Sequence, residues 1–142
     1  METIKPKVLP INNLESIEEL VYQYLEKNDL LQYADLQKVM ANIAIGQTRK
    51  TSITLVDDIN EPTCFYWAGI VPKPILVTEM VELISMGAWV EDESQMDALM
   101  ESMKRKAKLR GVTNFFVSDH YPFSLLDDSE YEEFETAKMI KL

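Results

Sequence analysis

The sequence predicts an α/β (α+β) domain with a mixed central sheet of about six to seven strands, two N-terminal helices and a long crossover helix over 94–110. Three stretches carry this prediction. Residues 80–117 read as an apolar, β-prone strand ending at Trp89, an acidic turn, a helix and a second strand from Val112. A helix of that length between two strands is a crossover connection, which makes the strands parallel neighbours. Residues 51–71 read as two β-rich runs around a short acidic loop, an antiparallel hairpin. Residues 12–45 carry two successive apolar stripes at helical spacing.

Taken in order, Lys5–Pro10 is a short strand placed at the sheet edge by its flanking prolines. Asn12 and Asn13 stand as caps of the first helix, with Glu15 at capping-box spacing and Leu14, Ile17, Val21 and Tyr24 on its buried face. Asn28-Asp29 breaks that helix. A second runs from about Leu31 to Ile45 with Leu36, Val39, Met40 and Ile43 inward, and Gly46 is placed to end it. Met96, Leu99, Met100, Met103 and Ala107 recur at offsets of three and four and define the long helix, which Gly111 stops. Past 117 a loop containing His120 and Pro122 leads to a short helical or irregular stretch over 123–134, and 136–142 fits a terminal strand.

One domain spanning 1–142 accommodates all of this, with 46% apolar and 27% charged residues, the balance of a soluble globular protein. No run approaches the ~20 apolar residues of a membrane span, and the N-terminus lacks the apolar region of a secretory signal. The single cysteine, Cys64, excludes an internal disulfide and a cysteine-rich metal site, and fits a small buried hydrophobe. With 24 acidic against 14 basic residues the net charge is −10, which opposes approach to phosphate-rich partners. Nucleic acid and anionic membrane are therefore not the expected partners; a protein partner or a larger assembly is.

The element order, the hairpin with an acidic turn and the helix ending Lys104-Arg105-Lys106-Ala107-Lys108-Leu109-Arg110-Gly111-Val112 resemble the core of the Gcn5-related N-acetyltransferase (GNAT) superfamily. The likeness covers about residues 3–142 and is close in sequence only at the helix end. Members of that family transfer an acetyl group from acetyl-coenzyme A to an amine. The coenzyme's pyrophosphate rests on backbone amides at the start of the long helix, in a loop patterned Arg/Gln-x-x-Gly-x-Gly/Ala. Glycine permits close backbone approach there, and the helix terminus supplies partial positive charge. The matching turn here is Val90-Glu91-Asp92-Glu93-Ser94-Gln95-Met96-Asp97, with no glycine, no arginine and four carboxylates. Acids in a first helical turn complement the helix dipole and repel a pyrophosphate. Glu91, Asp92, Glu93 and Ser94 thus mark a degenerate form of the pyrophosphate loop, and no cofactor is expected.

Two residues stand as catalytic candidates under the resemblance. Glu82, with Glu79 beside it, lies on the central strand where the family can place a general base. Tyr131 matches the tyrosine that protonates the leaving thiolate, but Tyr131-Glu132-Glu133-Phe134 is one residue shorter than the family's Tyr-x-x-x-Gly-Phe segment and lacks its glycine. Ser118-Asp119-His120 is contiguous, whereas triads converge in space. No metal site is expected. The reading is a non-catalytic GNAT-like structural or protein-interaction module, located in a cytoplasm or an assembled particle. Degenerate relatives of this kind occur among tailed-phage proteins, which makes a bacteriophage virion or assembly component its specific form. The alternatives are an N-acetyltransferase using acetyl-coenzyme A through an altered cofactor site, and an acidic DNA-mimic inhibitor. The five positive residues between Lys104 and Arg110 break the uniform acidic face the last would need.

Overall fold

The computed structural model describes residues 4–72 and 81–116, with backbone alone at 71, 72, 81, 82 and 114–116. In chain order come β1 (Lys7–Val8), a 3-10 helix (Ile11–Ile17), α1 (Glu18–Lys27), α2 (Leu36–Arg49), β2 (Ser52–Val56), β3 (Phe65–Pro72), β4 (Val81–Trp89), α3 (Glu93–Leu109) and β5 (Asn114–Phe116). The five strands form one sheet in the order β1-β2-β3-β4-β5. The first three pairings are antiparallel and the β4–β5 pairing is parallel. The expected hairpin and the expected crossover are both present, and β1 is the edge strand. Five strands fall among the described residues; the further strand expected over 136–142 and the short helix over 123–134 lie outside them.

The sheet is covered on both faces. One layer joins Ile53, Leu55, Tyr66, Ala68 and Leu83 to Met96, Leu99, Met100 and Met103 of α3. The other joins Val56 and Phe65 to Ile17, Val21, Leu25, Met40 and Ile43. Every residue of β2 is buried, as a strand between two helical layers must be. No helix among the described residues is long and apolar enough to cross a membrane.

Three sequence expectations are corrected here. The Asn12–Glu15 capping box does not form: the segment enters from Pro10 as a 3-10 helix whose N-cap makes no side-chain hydrogen bond. The second helix begins at Leu36 rather than 31, where Asp35 accepts from the amides of Gln37 and Lys38. Gly46 does not end that helix, which continues to Arg49 and closes on Lys50 at φ 58°. Gly46 is small because Ser52 lies against it: an added Cβ would stand 2.9 Å from the Ser52 Cβ. Gly111, at φ 80°, does end α3 as expected, with the Val112 amide donating back to the Ala107 carbonyl at 3.1 Å.

The feature that positions the site is a bulge in β4. Trp67 faces Gly87 and the next residue, Ala68, faces Ser85, so Met86 is an extra residue in the strand. The insertion inverts the alternation of faces. Leu83 before it and Ala88 after it both join the α3 layer, while Gly87 and Trp89 turn toward α1. Met86 itself is exposed.

Candidate functional site

The site implied by the sequence lies at the C-terminal end of β4, where the chain leaves the sheet and starts α3. A helix N-terminus there offers amides and partial positive charge to an anion. In this chain its own side chains meet those amides. Asp92 is the N-cap, and its Oδ1 accepts from the Gln95 amide at 3.1 Å. Gln95 reciprocates: its Oε1 accepts from the Glu91 amide at 2.7 Å and the Asp92 amide at 3.4 Å. This is a capping box, with the Ser94 hydroxyl adding a further bond to Asp92. Ser94 and, after it, the Gln95 amide hold the Asp92 carboxyl below the usual carboxylate range. Glu91, Asp92, Glu93 and Ser94 are all exposed, so the mouth carries three solvent-facing carboxylates.

Gln95, by contrast, is buried, and its Nε2 donates to Thr63 Oγ1 at 3.0 Å. Thr63 belongs to the turn between β2 and β3, and its hydroxyl and amide donate to Asp57 at 2.7 and 2.8 Å. The Cys64 amide adds a third bond to Asp57 at 3.3 Å. A continuous chain of hydrogen bonds therefore runs from Asp57 through Thr63 and Gln95 to Asp92, tying the hairpin turn to the start of α3. Sequence reading missed Thr63 and Gln95 as members of the site. The Asp-x-x-Gln spacing of Asp92 and Gln95 was the available signal for the second; nothing local marks the first.

Burial pushes the Asp57 carboxyl up, but the bonds from Thr63 and Cys64 outweigh it and hold the group below its ordinary value. The folded pKa is thus lower than the unfolded value of about 3.9, so Asp57's contribution is complete above that value and is lost as pH falls through the folded one. Bonds to a charged acceptor are stronger than neutral ones, so Asp57→Asn should lower stability by about 1 kcal/mol at pH 7. Urea unfolding should show the gap between the two proteins closing as pH falls below the unfolded carboxylate value and through the lower folded one; a gap constant with pH would show that the charge is not what holds the turn. Cys64 beside it is fully buried, and burial together with the Asp57 charge raises its thiol far above reactive range.

On the opposite face, α1 leans on the bulge. The Tyr24 hydroxyl donates to the Met86 carbonyl at 3.1 Å, and its ring meets Phe65 edge-on at 6.4 Å. Lys27 Nζ lies 5.4 Å from the centre of the Trp89 ring. β4 and β5 pair from Glu82↔Asn114 to Ile84↔Phe116, and the chain following Phe116 lies outside the described residues. Glu82 sits in β4 between Val71 and Asn114 at the end of the strand away from α3. Tyr131, Glu79 and His120 lie outside the described residues. Among the described residues no group of three histidines, cysteines or carboxylates is arranged to hold a metal ion.

The chain superimposes on solved acetyltransferases over nearly its whole length. An aminoglycoside acetyltransferase from an uncultured soil metagenomic sample superimposes with a TM-score of 0.71 at 18% identity, over 99% of this chain and 98% of that one. The ribosomal-protein-alanine N-acetyltransferase of Brucella melitensis biovar Abortus 2308 gives 0.68 at 10% identity, over 98% and 100%. A predicted acetyltransferase of Clostridium acetobutylicum, solved with acetyl-coenzyme A, gives 0.64 at 10% identity, over 93% and 96%. No protein-family model matches the sequence, and neither does any curated protein. The chain shares the fold of these acetyltransferases, which is the architecture expected from the GNAT resemblance. At these identities the likeness establishes architecture, and function rests on the site.

Proposed function

We propose that this chain is a non-catalytic GNAT-fold module that works through contacts with other proteins and does not seat acetyl-coenzyme A in the fold's usual phosphate position. One observation carries the reading: Asp92 and Gln95 close a capping box over the start of α3 with the chain's own side chains. A pyrophosphate arriving there would have to displace Asp92 and settle among Glu91, Asp92 and Glu93. Each close like-charge pair costs about 1 kcal/mol even in bulk water, so three weaken binding by about two orders of magnitude. Isothermal titration with acetyl-coenzyme A should give no binding heat up to millimolar ligand, and a micromolar dissociation constant would overturn the reading. A role as a phage particle or assembly component further predicts a stable complex with a second protein on co-purification. A chain that stays alone and monomeric under those conditions removes that role.

A second reading, N-acetyltransferase with an altered cofactor site, is favoured by the Met86 bulge. A bulge breaks the regular pairing of the central strand and re-aims its backbone, a device that recurs beside active sites. This reading predicts acetyl transfer to a panel of amines that disappears in Tyr131→Phe. No turnover with any acyl donor counts against it.

A further inference from the structure

Opposite the α3 N-terminus the molecule changes sign. β2, β4 and β5 run in the same direction, so α2, which leads into β2, and α3, which leads into β5, finish at the same end of the strands, one on each face. The Arg110 guanidinium marks the junction by donating to the Ser52 carbonyl at 3.3 Å, two residues beyond Lys50. Arg49 and Lys50 close α2, Lys108 and Arg110 close α3, Arg105 precedes its last turn beside Glu101, and these five cations are exposed. No acid occurs in α2, in 50–56 or in 102–116. Cations at helix C-termini complement the dipole, and that ordinary role accounts for part of the cluster. Two helix ends present about one negative charge between them and Glu82, at the start of β4, adds one more at this end of the sheet, so among the described residues the five cations remain about three in excess.

Leu109, the last residue of α3, stands among them at 89% exposure. A leucine so exposed is not a core residue, and it has Lys108 and Arg110 as sequence neighbours. We propose that this end is a docking surface for an acidic protein segment that sets an apolar side chain beside Leu109 while its carboxylates meet Arg49, Lys50, Arg105 and Lys108. Phosphate backbones supply the charge but no apolar partner for Leu109, and the net charge of −10 opposes a long polyanion. The surface gives a location to the protein-interaction role proposed above, but it lies at the far end of α3. Acetyl-coenzyme A binding would overturn that role and leave this surface standing.

The test titrates the full chain with a fluorescently labelled acidic peptide of interleaved glutamates and leucines, alongside an all-glutamate peptide, a short DNA duplex and phosphatidylserine vesicles. The leucine-bearing peptide should bind best and lose about tenfold or more in affinity between low and high salt. The double variant Arg105→Glu, Lys108→Glu should weaken it by at least about tenfold. Leu109→Ser should weaken it several-fold while leaving the salt dependence intact, and should remove the preference over the all-glutamate peptide. Thermal melts check that both variants fold, and the Leu109 variant alone suffices if the double one does not. No peptide binding, indifference to either variant, or equal affinity for duplex or vesicles overturns the proposal.

Discussion

Leu99→Ala is expected to lower the unfolding free energy by about 2–5 kcal/mol. Leu99 is fully buried at the middle of α3's inward face, within the layer formed with Ile53, Leu55, Tyr66 and Leu83. Its neighbours come from three strands and from the helix itself, so collapse around a missing side chain would require several elements to move together. The cost therefore includes the cavity as well as the lost transfer energy. Against a total stability of about 5–15 kcal/mol this is a large fraction. Urea unfolding measures it directly. A loss below about 1 kcal/mol would mean that α3 is not packed on the sheet as described.

The next largest effect is expected at Gly87. A strand glycine replaced by alanine ordinarily gains about 0.4–1 kcal/mol by restricting the unfolded chain. Here the added Cβ would stand 2.8 Å from Tyr24 Cε1 and 3.2 Å from Cζ. The ring cannot simply swing away, because Phe65 meets it edge-on and its hydroxyl holds the Met86 carbonyl. Overpacking of this kind costs about 1–3 kcal/mol, so the steric effect wins and Gly87→Ala should destabilise. In a Tyr24→Ala background the same substitution should become neutral or favourable, a coupling of at least about 1 kcal/mol in a double-mutant cycle. Strict additivity of the two changes would show that ring and strand do not meet.

The elements read from sequence are those whose signal is periodic. Met96, Leu99, Met100 and Met103 announce one face of a helix, and that face is the buried one. The hairpin and crossover follow from β-rich runs and connection length, and both are seen in the strand pairings. What escaped depends on contacts between segments. Gly46 looks like a helix terminator until Ser52 is placed against it. The Met86 bulge lies in a run apolar on both sides, where period-two alternation carries no information. At the site, the acids of the β4–α3 turn were legible as a position, but the buried bond from Gln95 to Thr63 joins residues thirty-two apart and leaves no local trace. The strand expected over 136–142 and the Tyr131 segment fall outside the described residues.

The Asp57–Thr63–Gln95–Asp92 chain has one consequence for motion. The hairpin tip and the first turn of α3 are joined through Thr63 and Gln95, so neither can open alone without breaking the bond from Gln95 Nε2 to Thr63 Oγ1. Amide protons of Thr63, Cys64, Glu91 and Gln95 belong to one exchange unit, and they should trade with solvent deuterium at matched rates. Acid strong enough to neutralise Asp57, whose carboxyl is held below its ordinary value, should lower the protection of all four together while the α3 midsection stays protected.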